Sequence, residues 1–384
     1  MKITDIRWHP VKFVFRELEK AAYGHRTGWV NLVIEVETNE GITGIGEVYT
    51  ASGAWLQAIM GALSTARQLF IGQDPRNIEL LTRLFYRVGN WRTLPNLANM
   101  TFSGVEMALW DILGKSIQQP VHRLFGGAVR EQIGFYGYLY RKAPAEMAKE
   151  AKRLATEGYR VLYFKVGLDR RADFDAVEAV RAGAGPNVAI RIDANQAWGV
   201  GTAVQRIKEL QRFNLDFVEQ PVAGHDWKAL AQVRRRVDVP IAANEGIWTA
   251  FDALQVIRHD AADVIVAGTS WVGGLMTLKK IASIAEAGGI QLCRHCPLTA
   301  IGTAAEIQVI STFGNLMDGN QQYLSEIMDE VIQEPMSISQ GSVAVPQRPG
   351  IGVTLDKVKL AQNAFKSDTE PLIQYYANYG DKQI

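Results

Sequence analysis

The chain has 384 residues, 47% of them hydrophobic and 21% charged, the make-up of an ordinary globular protein with a full-sized core and room for two domains. With 41 Lys+Arg against 40 Asp+Glu the net charge is +1, so no bulk electrostatic drive toward nucleic acid or an anionic membrane exists. Two cysteines exclude a disulfide-built scaffold. Neither a signal-type h-region nor an apolar run of about 18 residues occurs, which makes the cytoplasm the expected compartment.

In chain order, Val30–Thr38 is rich in β-branched residues, Asn39-Glu40-Gly41 is a turn signal, and Ile42–Tyr49 follows, which is a hairpin pattern. Helical stretches lie at Ala54–Ile71 and Asn77–Arg87. A third spans Ser103–Gln118, with Ser103 as N-cap and Glu106 as its capping-box partner. After about Val129 short apolar strands alternate with helices. The strands read as Ile133–Leu139, Val161–Val166, Ala189–Asp193, Phe217–Glu219, Pro240–Glu245, Asp263–Gly268, Gln291–His295 and Tyr323–Glu326. The helices between them read as Ala145–Glu157, Phe174–Gly183, Gly201–Phe213, Trp227–Val237, Ala250–His259, Met276–Ala287 and Thr299–Phe313. Eight strands at spacings of about 25 residues fit a parallel (β/α) barrel. A doubly wound sheet has the same local pattern, but no G-x-G-x-x-G follows the first strand to support a dinucleotide version. The tail from Gln340 has no place in eight units and is expected to pack back on the N-terminal region.

A parallel barrel carries its active site at the C-terminal ends of its strands. The last polar residues there are Lys165 in YFKVG, Asp193 in IRIDANQ, Glu219 in FVEQP, Asn244-Glu245 in IAANEG, His295 in CRHC and Glu326 in YLSE. Asp193, Glu219 and Glu245 are 26 residues apart in turn, one βα unit per gap, which sets three carboxylates side by side at one mouth. Such a cluster repels itself unless a cation sits between its members, and an all-oxygen donor set with open positions suits Mg2+. The plainer alternative is three separate strand-end acids, solvated or paired with Lys or Arg. Lys165 and His295 flank the triad as candidate acid/base groups; otherwise they are an ion-pair partner and a core histidine. An ammonium near a divalent cation loses its proton more readily, so Lys165 is a candidate base. Cys293 and Cys296 form a C-x-x-C without a second pair and read as packing, not zinc.

These residues together resemble the enolase superfamily. The likeness runs over the whole chain: SGVEMALWDILGK (Ser103–Lys115) and LFGG (Leu124–Gly127), then DAN at Asp193–Asn195, EQP at Glu219–Pro221 and the strand-five Glu245. It is strongest to the mandelate racemase subgroup, because strand seven carries a His and strand five a Glu. The resemblance implies an α/β fold: a modified (β/α) TIM-type barrel (129–339), an N-terminal α+β capping domain (1–128) and a C-terminal segment (340–384) packing back on the cap. It implies one Mg2+ per active site, held by Asp193, Glu219 and Glu245. It implies Lys165 and His295 as acid/base residues, Glu326 as the strand-eight acid toward a substrate carboxylate, and α-proton abstraction to an enediolate. Tyr163 and Asn195 fall where substrate is bound, and His25 and Arg26 fall where the cap reaches over the mouth, with Tyr23, Tyr49 and Trp55 near it.

Three departures from the family pattern matter. Tyr163 stands where the strand-two K-x-K motif has its first Lys. Gly268 stands where strand six usually carries the Asp that orients the His, and Asp263 lies too early to replace it. Asn244 precedes Glu245 as an alternative ligand. The leading functional expectation is a dehydratase of a sugar acid, with Lys165 as base and His295 as acid toward the leaving hydroxide, giving a 2-keto-3-deoxy acid. A racemase, epimerase or cycloisomerase working through the same enediolate is the runner-up, and a non-catalytic acid-binding protein on this scaffold is the third reading. The expected partner is a small-molecule carboxylate, with no nucleic acid or membrane, and the family likeness implies a homo-oligomer.

Overall fold

The computed structural model describes residues 1–50, 53–87, 95–328, 330–366 and 372–375; the rest of the tail, at 367–371 and 376–384, lies outside the described residues. The N-terminal region is an antiparallel sheet covered by helices. Its strands are β1 (Ile3–Ala21), β2 (Gly24–Thr38) and β3 (Thr43–Tyr49). The expected hairpin is β2–β3, with Glu37 opposite Thr43 and Asn31 opposite Tyr49. The long β1 and the first half of β2 were not legible, because their polar residues interrupt the period-2 pattern. His25 and Arg26 consequently sit on a strand beside the β1–β2 turn.

Helices α1 (Gly53–Phe70), α2 (Ile78–Phe85) and α3 (Pro95–Ser116) pack on this sheet. α3 begins eight residues before the expected N-cap, so Ser103 is mid-helix and donates its hydroxyl to the Met100 carbonyl at 2.7 Å. The capping box at Ser103 is thereby overturned: a buried small residue satisfied within its own helix competes successfully with a capping role. α3 lies directly on β3 because Gly46 and Gly104 meet there; a Cβ on Gly46 would run into the Gly104 carbonyl oxygen. α3 is apolar on most faces since it is sandwiched, with Phe102, Val105, Met107, Ala108, Leu109 and Ile112 all fully buried.

A short helix α4 (Val121–Leu124) leads to the barrel. The strands are β4 (Gln132–Gly134), β5 (Gly137–Tyr138), β6 (Val161–Lys165), β7 (Ala189–Asp193), β8 (Phe217–Glu219), β9 (Ile241–Ala243), β10 (Val264–Ala267) and β11 (Gln291–Arg294). β5 to β11 are neighbours in sequence order and all parallel. The helices that follow them are α5 (Pro144–Thr156), α6 (Arg170–Ala184), α7 (Val200–Leu210), α8 (Trp227–Arg234), α9 (Ala250–His259), α10 (Thr269–Val272), α11 (Leu275–Ala287) and α12 (Ala300–Ile310). α12 is buried at every position.

Two expectations about the ring are corrected. Ile133–Leu139 is two pieces, and β4 pairs antiparallel with β12 (Ser342–Ala344) of the tail. Tyr323–Glu326 is not a strand. The ring closes one step earlier, through parallel bridges Leu292↔Leu316 and Phe135↔Asn320. The Asn320 side chain completes that closure by accepting from the Arg294 amide at 2.9 Å and donating to the Gly134 carbonyl at 3.1 Å. Side-chain amides thus replace strand ladder bonds, which no hydrophobic period reports.

After β12 the chain forms α13 (Lys357–Gln362) and β13 (Ile373–Tyr375), which pairs antiparallel with β2 at Gly24–Arg26. No helix among the described residues is long and apolar enough to cross a membrane.

Glu35 of β2 ties this tail to the sheet. It is hydrogen-bonded to His9 at 2.8 Å and ion-paired with Lys357. Hydrogen bonding from His9 first, opposed by burial and aided by Lys357, holds its carboxyl down at about 2. A depressed carboxyl contributes stability that is complete above the unfolded value near 4.5 and lost as pH falls through the folded one. Because both partners are substantially exposed, the full shift is discounted to about 2 kcal/mol. Glu35→Gln is therefore expected to lower the urea midpoint at pH 6, with the difference from wild type shrinking as pH falls from about 4.5 and lost only below about 2.

Candidate active site

Strand register decides which side chains meet. Lys165 pairs with Asp193 across β6–β7, and Asp193 with Glu219 across β7–β8. All three are buried. Lys165 Nζ donates to Asp193 Oδ2 at 2.5 Å, and the Tyr163 hydroxyl donates to the same oxygen at 2.7 Å. Asp193 Oδ1 accepts from the Asn195 amide at 2.7 Å. Glu245 lies beyond the end of β9, since Glu219 pairs with Ala242; its Oε1 accepts from Asn195 Nδ2 at 2.9 Å. Its Oε2 is buried and has no hydrogen-bond partner among the described residues. Asn244 is anchored by its amide N–H to Gln220 Oε1 at 2.8 Å and by its side-chain Nδ2 to the Val266 carbonyl at 3.0 Å.

Crowding of like charge shows in the titration of these groups. Burial, then Asp193, pushes Glu219 well above the carboxylate range, and the same two causes raise Glu245 to about 8. Burial works against the charge on Lys165, but Asp193, then Tyr23, Glu19 and Glu219, hold its ammonium above the usual lysine range. As the side chains stand, no three His, Cys, Asp or Glu among the described residues converge on one ion position, because Lys165 and Tyr163 occupy Asp193 and Asn195 occupies Glu245. The donor chemistry nonetheless fits a hard divalent cation: the buried carboxylates of Asp193 and Glu219, the half-buried Glu245 with one oxygen unpartnered among the described residues, and a single ammonium against them.

These groups open into a cavity of about 490 Å3 under the cap. Its barrel side carries Lys165, Asn195, Gln196, Asn244, Glu245, His295, Gln321 and Tyr323. The cap and tail add Tyr23, Arg26, Tyr49, Trp55, Met100, Ile373 and Tyr375. A larger hollow of about 840 Å3, lined by Asn187, Lys208, Arg212 and Asp238, lies where β7 and β9 begin and holds none of these groups.

His295 follows β11 and is half-buried at the cavity wall, with its ring 4.2 Å from Trp271, which stacks on Trp248 at 5.3 Å. Its Nδ1 has no hydrogen-bond partner among the described residues. Burial first, then Lys165, Arg26 and Arg294, pushes it well below the usual histidine range, so it is a neutral imidazole near pH 7. Gly268 accounts for the missing orienting acid. A Cβ at that position would fall onto the His295 carbonyl oxygen, so the backbone after β11 occupies the space an Asp side chain needs.

Arg26 lines the cavity as expected, but its guanidinium is committed. It is ion-paired with the buried Glu19, whose other oxygen accepts from the Tyr138 hydroxyl at 2.5 Å, and it donates to the Tyr323 hydroxyl at 3.1 Å. His25 alternates to the opposite side of β2, is half-buried and does not line the cavity. Glu326 is corrected: it lies past the closing segment, accepts from the Ser325 hydroxyl at 2.8 Å, and its carbonyl accepts from the Arg16 amide of β1. Gln321 and Tyr323 stand at the cavity in its place. Cys293 and Cys296 are free and buried, accepting hydrogen bonds from Arg191 at 3.4 Å and the Leu298 amide at 3.4 Å respectively.

Sequence reasoning missed Glu19 and Asn99. Asn99 of α3 donates to the carbonyls of Trp248 and Trp271, at 2.8 and 3.1 Å, and so positions the two indoles beside His295. An apolar helix carrying one buried amide was the available signal. Gly268→Ala is expected to destabilise the fold by about 2 kcal/mol through this overlap and to displace His295. A lowered melting temperature together with a downfield-shifted or broadened His295 ring signal in NMR would bear this out, and an unchanged melt would refute it.

Comparison with known proteins agrees with this architecture. The mandelate racemase / muconate lactonizing enzyme N-terminal domain matches residues 5–126, and the enolase C-terminal domain-like family matches residues 146–359. An N-succinyl-L-Arg/Lys racemase of Bacillus cereus is 28% identical, over 94% of this chain and 98% of its own. A D-galactonate dehydratase of Ralstonia pickettii is 29% identical, over 87% of this chain and 91% of its own. The crystal structure of a dipeptide epimerase from Enterococcus faecalis V583, complexed with Mg and the dipeptide L-Leu-L-Tyr, superposes with a TM-score of 0.85 at 26% identity, covering 92% of this chain and 100% of that one. With both domains matched in order along one chain, this protein belongs to the mandelate racemase / muconate lactonizing enzyme family of the enolase superfamily and is an enzyme.

Proposed function

We propose that the protein is a Mg2+-dependent dehydratase of a sugar acid, an aldonate or aldarate, giving a 2-keto-3-deoxy acid. Asp193, Glu219 and Glu245 would hold Mg2+, which supplies positive charge where the substrate carboxylate gathers negative charge as its α-proton leaves. Glu245 Oε2, buried without a hydrogen-bond partner among the described residues, supports that donor set. Asn195, Gln321 and Tyr323 line the cavity as the polar groups nearest substrate hydroxyls.

The observation that carries dehydration is the state of His295. A racemase needs each of its two catalysts to act as acid and base in turn, so both protonation states must lie close in energy. His295 lies near Lys165, Arg26 and Arg294, and its Nδ1 has no hydrogen-bond partner among the described residues, so its protonated form is disfavoured. An elimination needs that form only transiently. His295 takes the α-proton, and the Lys165 ammonium protonates the departing β-hydroxyl, which leaves as water. His295 then returns its proton to the β-carbon as the enol becomes the ketone, and the enol proton restores Lys165. This assigns the base and acid in the reverse sense to the expectation from sequence. Burial beside Lys165, Arg26 and Arg294 is the reason.

A second reading has an observation of its own. Trp55, Leu97, Met100, Trp248, Trp271 and Ile373 give the cavity an apolar, aromatic wall. That wall suits a carboxylic acid with an apolar body, and with it a racemase or epimerase. A library of mono- and dicarboxylic sugar acids, offered with Mg2+, separates the two. We expect 2-keto acid from some member, abolished by chelator and reduced at least ~100-fold by Lys165→Ala and by His295→Asn. Solvent deuterium entering the α-position without keto acid would overturn dehydration in favour of the second reading.

A further inference from the structure

We infer that Tyr163 is a positioning residue of the metal site, holding Asp193 ready for a divalent cation through a neutral hydroxyl where the family has an ammonium. This rests on the metal reading given above. β6 turns Tyr163 and Lys165 to the same inward face, two residues apart. The Tyr163 ring is fixed. It stacks on Tyr136 with centroids 4.4 Å apart and planes 3° from parallel, and Tyr138 packs at 5.9 Å. Its hydroxyl therefore has one place to go. It donates to Asp193 Oδ2 at 2.7 Å and accepts from Lys165 Nζ at 3.3 Å.

Asp193 is thus held from both sides, Oδ1 by the Asn195 amide and Oδ2 by Tyr163. When Lys165 swings toward a substrate, Tyr163 keeps the carboxylate plane in place. A carboxylate oxygen accepts more than one hydrogen bond, so Oδ2 keeps electron density for a cation. The charge balance is equally specific. With all three carboxylates ionised, as ligation requires, they and one ammonium leave the cluster two units negative, which one divalent cation neutralises. A second lysine at 163 would leave it one unit negative and weaken the attraction. Partners that orient a ligand typically change metal affinity ten- to a hundredfold when removed.

The test is metal binding by the full chain without substrate, read by Mn2+ paramagnetic resonance and Mg2+ calorimetry. Tyr163→Phe keeps the ring stack and removes only the hydroxyl; about tenfold weaker binding is expected. Tyr163→Lys is expected to bind more weakly still. Tyr136→Phe is the control, because the Tyr136 hydroxyl is buried with no hydrogen-bond partner among the described residues; its affinity should equal that of wild type. Wild-type affinity in Tyr163→Phe, or an equal loss in Tyr136→Phe, overturns the assignment while leaving the metal reading standing. A wild-type chain that binds neither Mn2+ nor Mg2+ sinks both.

Discussion

Burying like charges side by side is the constraint on which the rest of this structure turns. Asp193 and Glu219 face each other across two neighbouring strands, both out of water, and Glu245 follows on the next, half-buried at the cavity. One lysine and one tyrosine hydroxyl are set against them. Such a cluster is stable only if something positive is close and water is kept out in a controlled way. The cap supplies the second condition.

The cap is fastened by the same chemistry it covers. Glu106, read from sequence as a capping-box acid for its own helix, does cap a helix, but a distant one. It accepts from the Leu275 and Met276 amides at 2.7 and 3.0 Å, at the start of α11. Glu47 of β3 accepts from the Thr299 and Gly302 amides at the start of α12. Carboxylates on helix N-termini satisfy donors that have no partner in their own helix and meet the positive end of the dipole. Two cap acids thus orient two barrel helices, and Asn99 adds the loop that carries Trp248 and the short helix α10 that carries Trp271. Glu19 and Arg26 close the other side, joining the β1–β2 turn to Tyr138 and Tyr323 of the barrel.

His295 shows how backbone packing decides chemistry. With Gly268 against the His295 carbonyl, position 268 has no room for a side chain that could reach the imidazole, whose ring packs on Trp271. A base that is easily deprotonated again suits a reaction with a defined direction better than one that runs equally both ways. On the proposed assignment of His295 as base, Gly268 would be part of the functional character of the site, although it carries no side chain.

Much of this was written in the sequence. Strand ends at Lys165, Asp193 and Glu219 were readable because parallel strands of a barrel are short apolar runs with a polar residue at the catalytic rim, and two of the strand ranges match to the residue. Equal 26-residue spacing was enough to bring Asp193 and Glu219 into register. What periodicity cannot express came from tertiary structure alone. Ring closure at 316–320 uses Asn320 and isolated bridges in place of a strand, so Glu326 was assigned to a rim it does not reach. The Glu19–Arg26 pair forms only when a strand of mixed polarity folds back over the barrel mouth. Local composition determined which residues line up along each strand; close approach of distant backbones decided which of them share a cavity and what charge each one carries there.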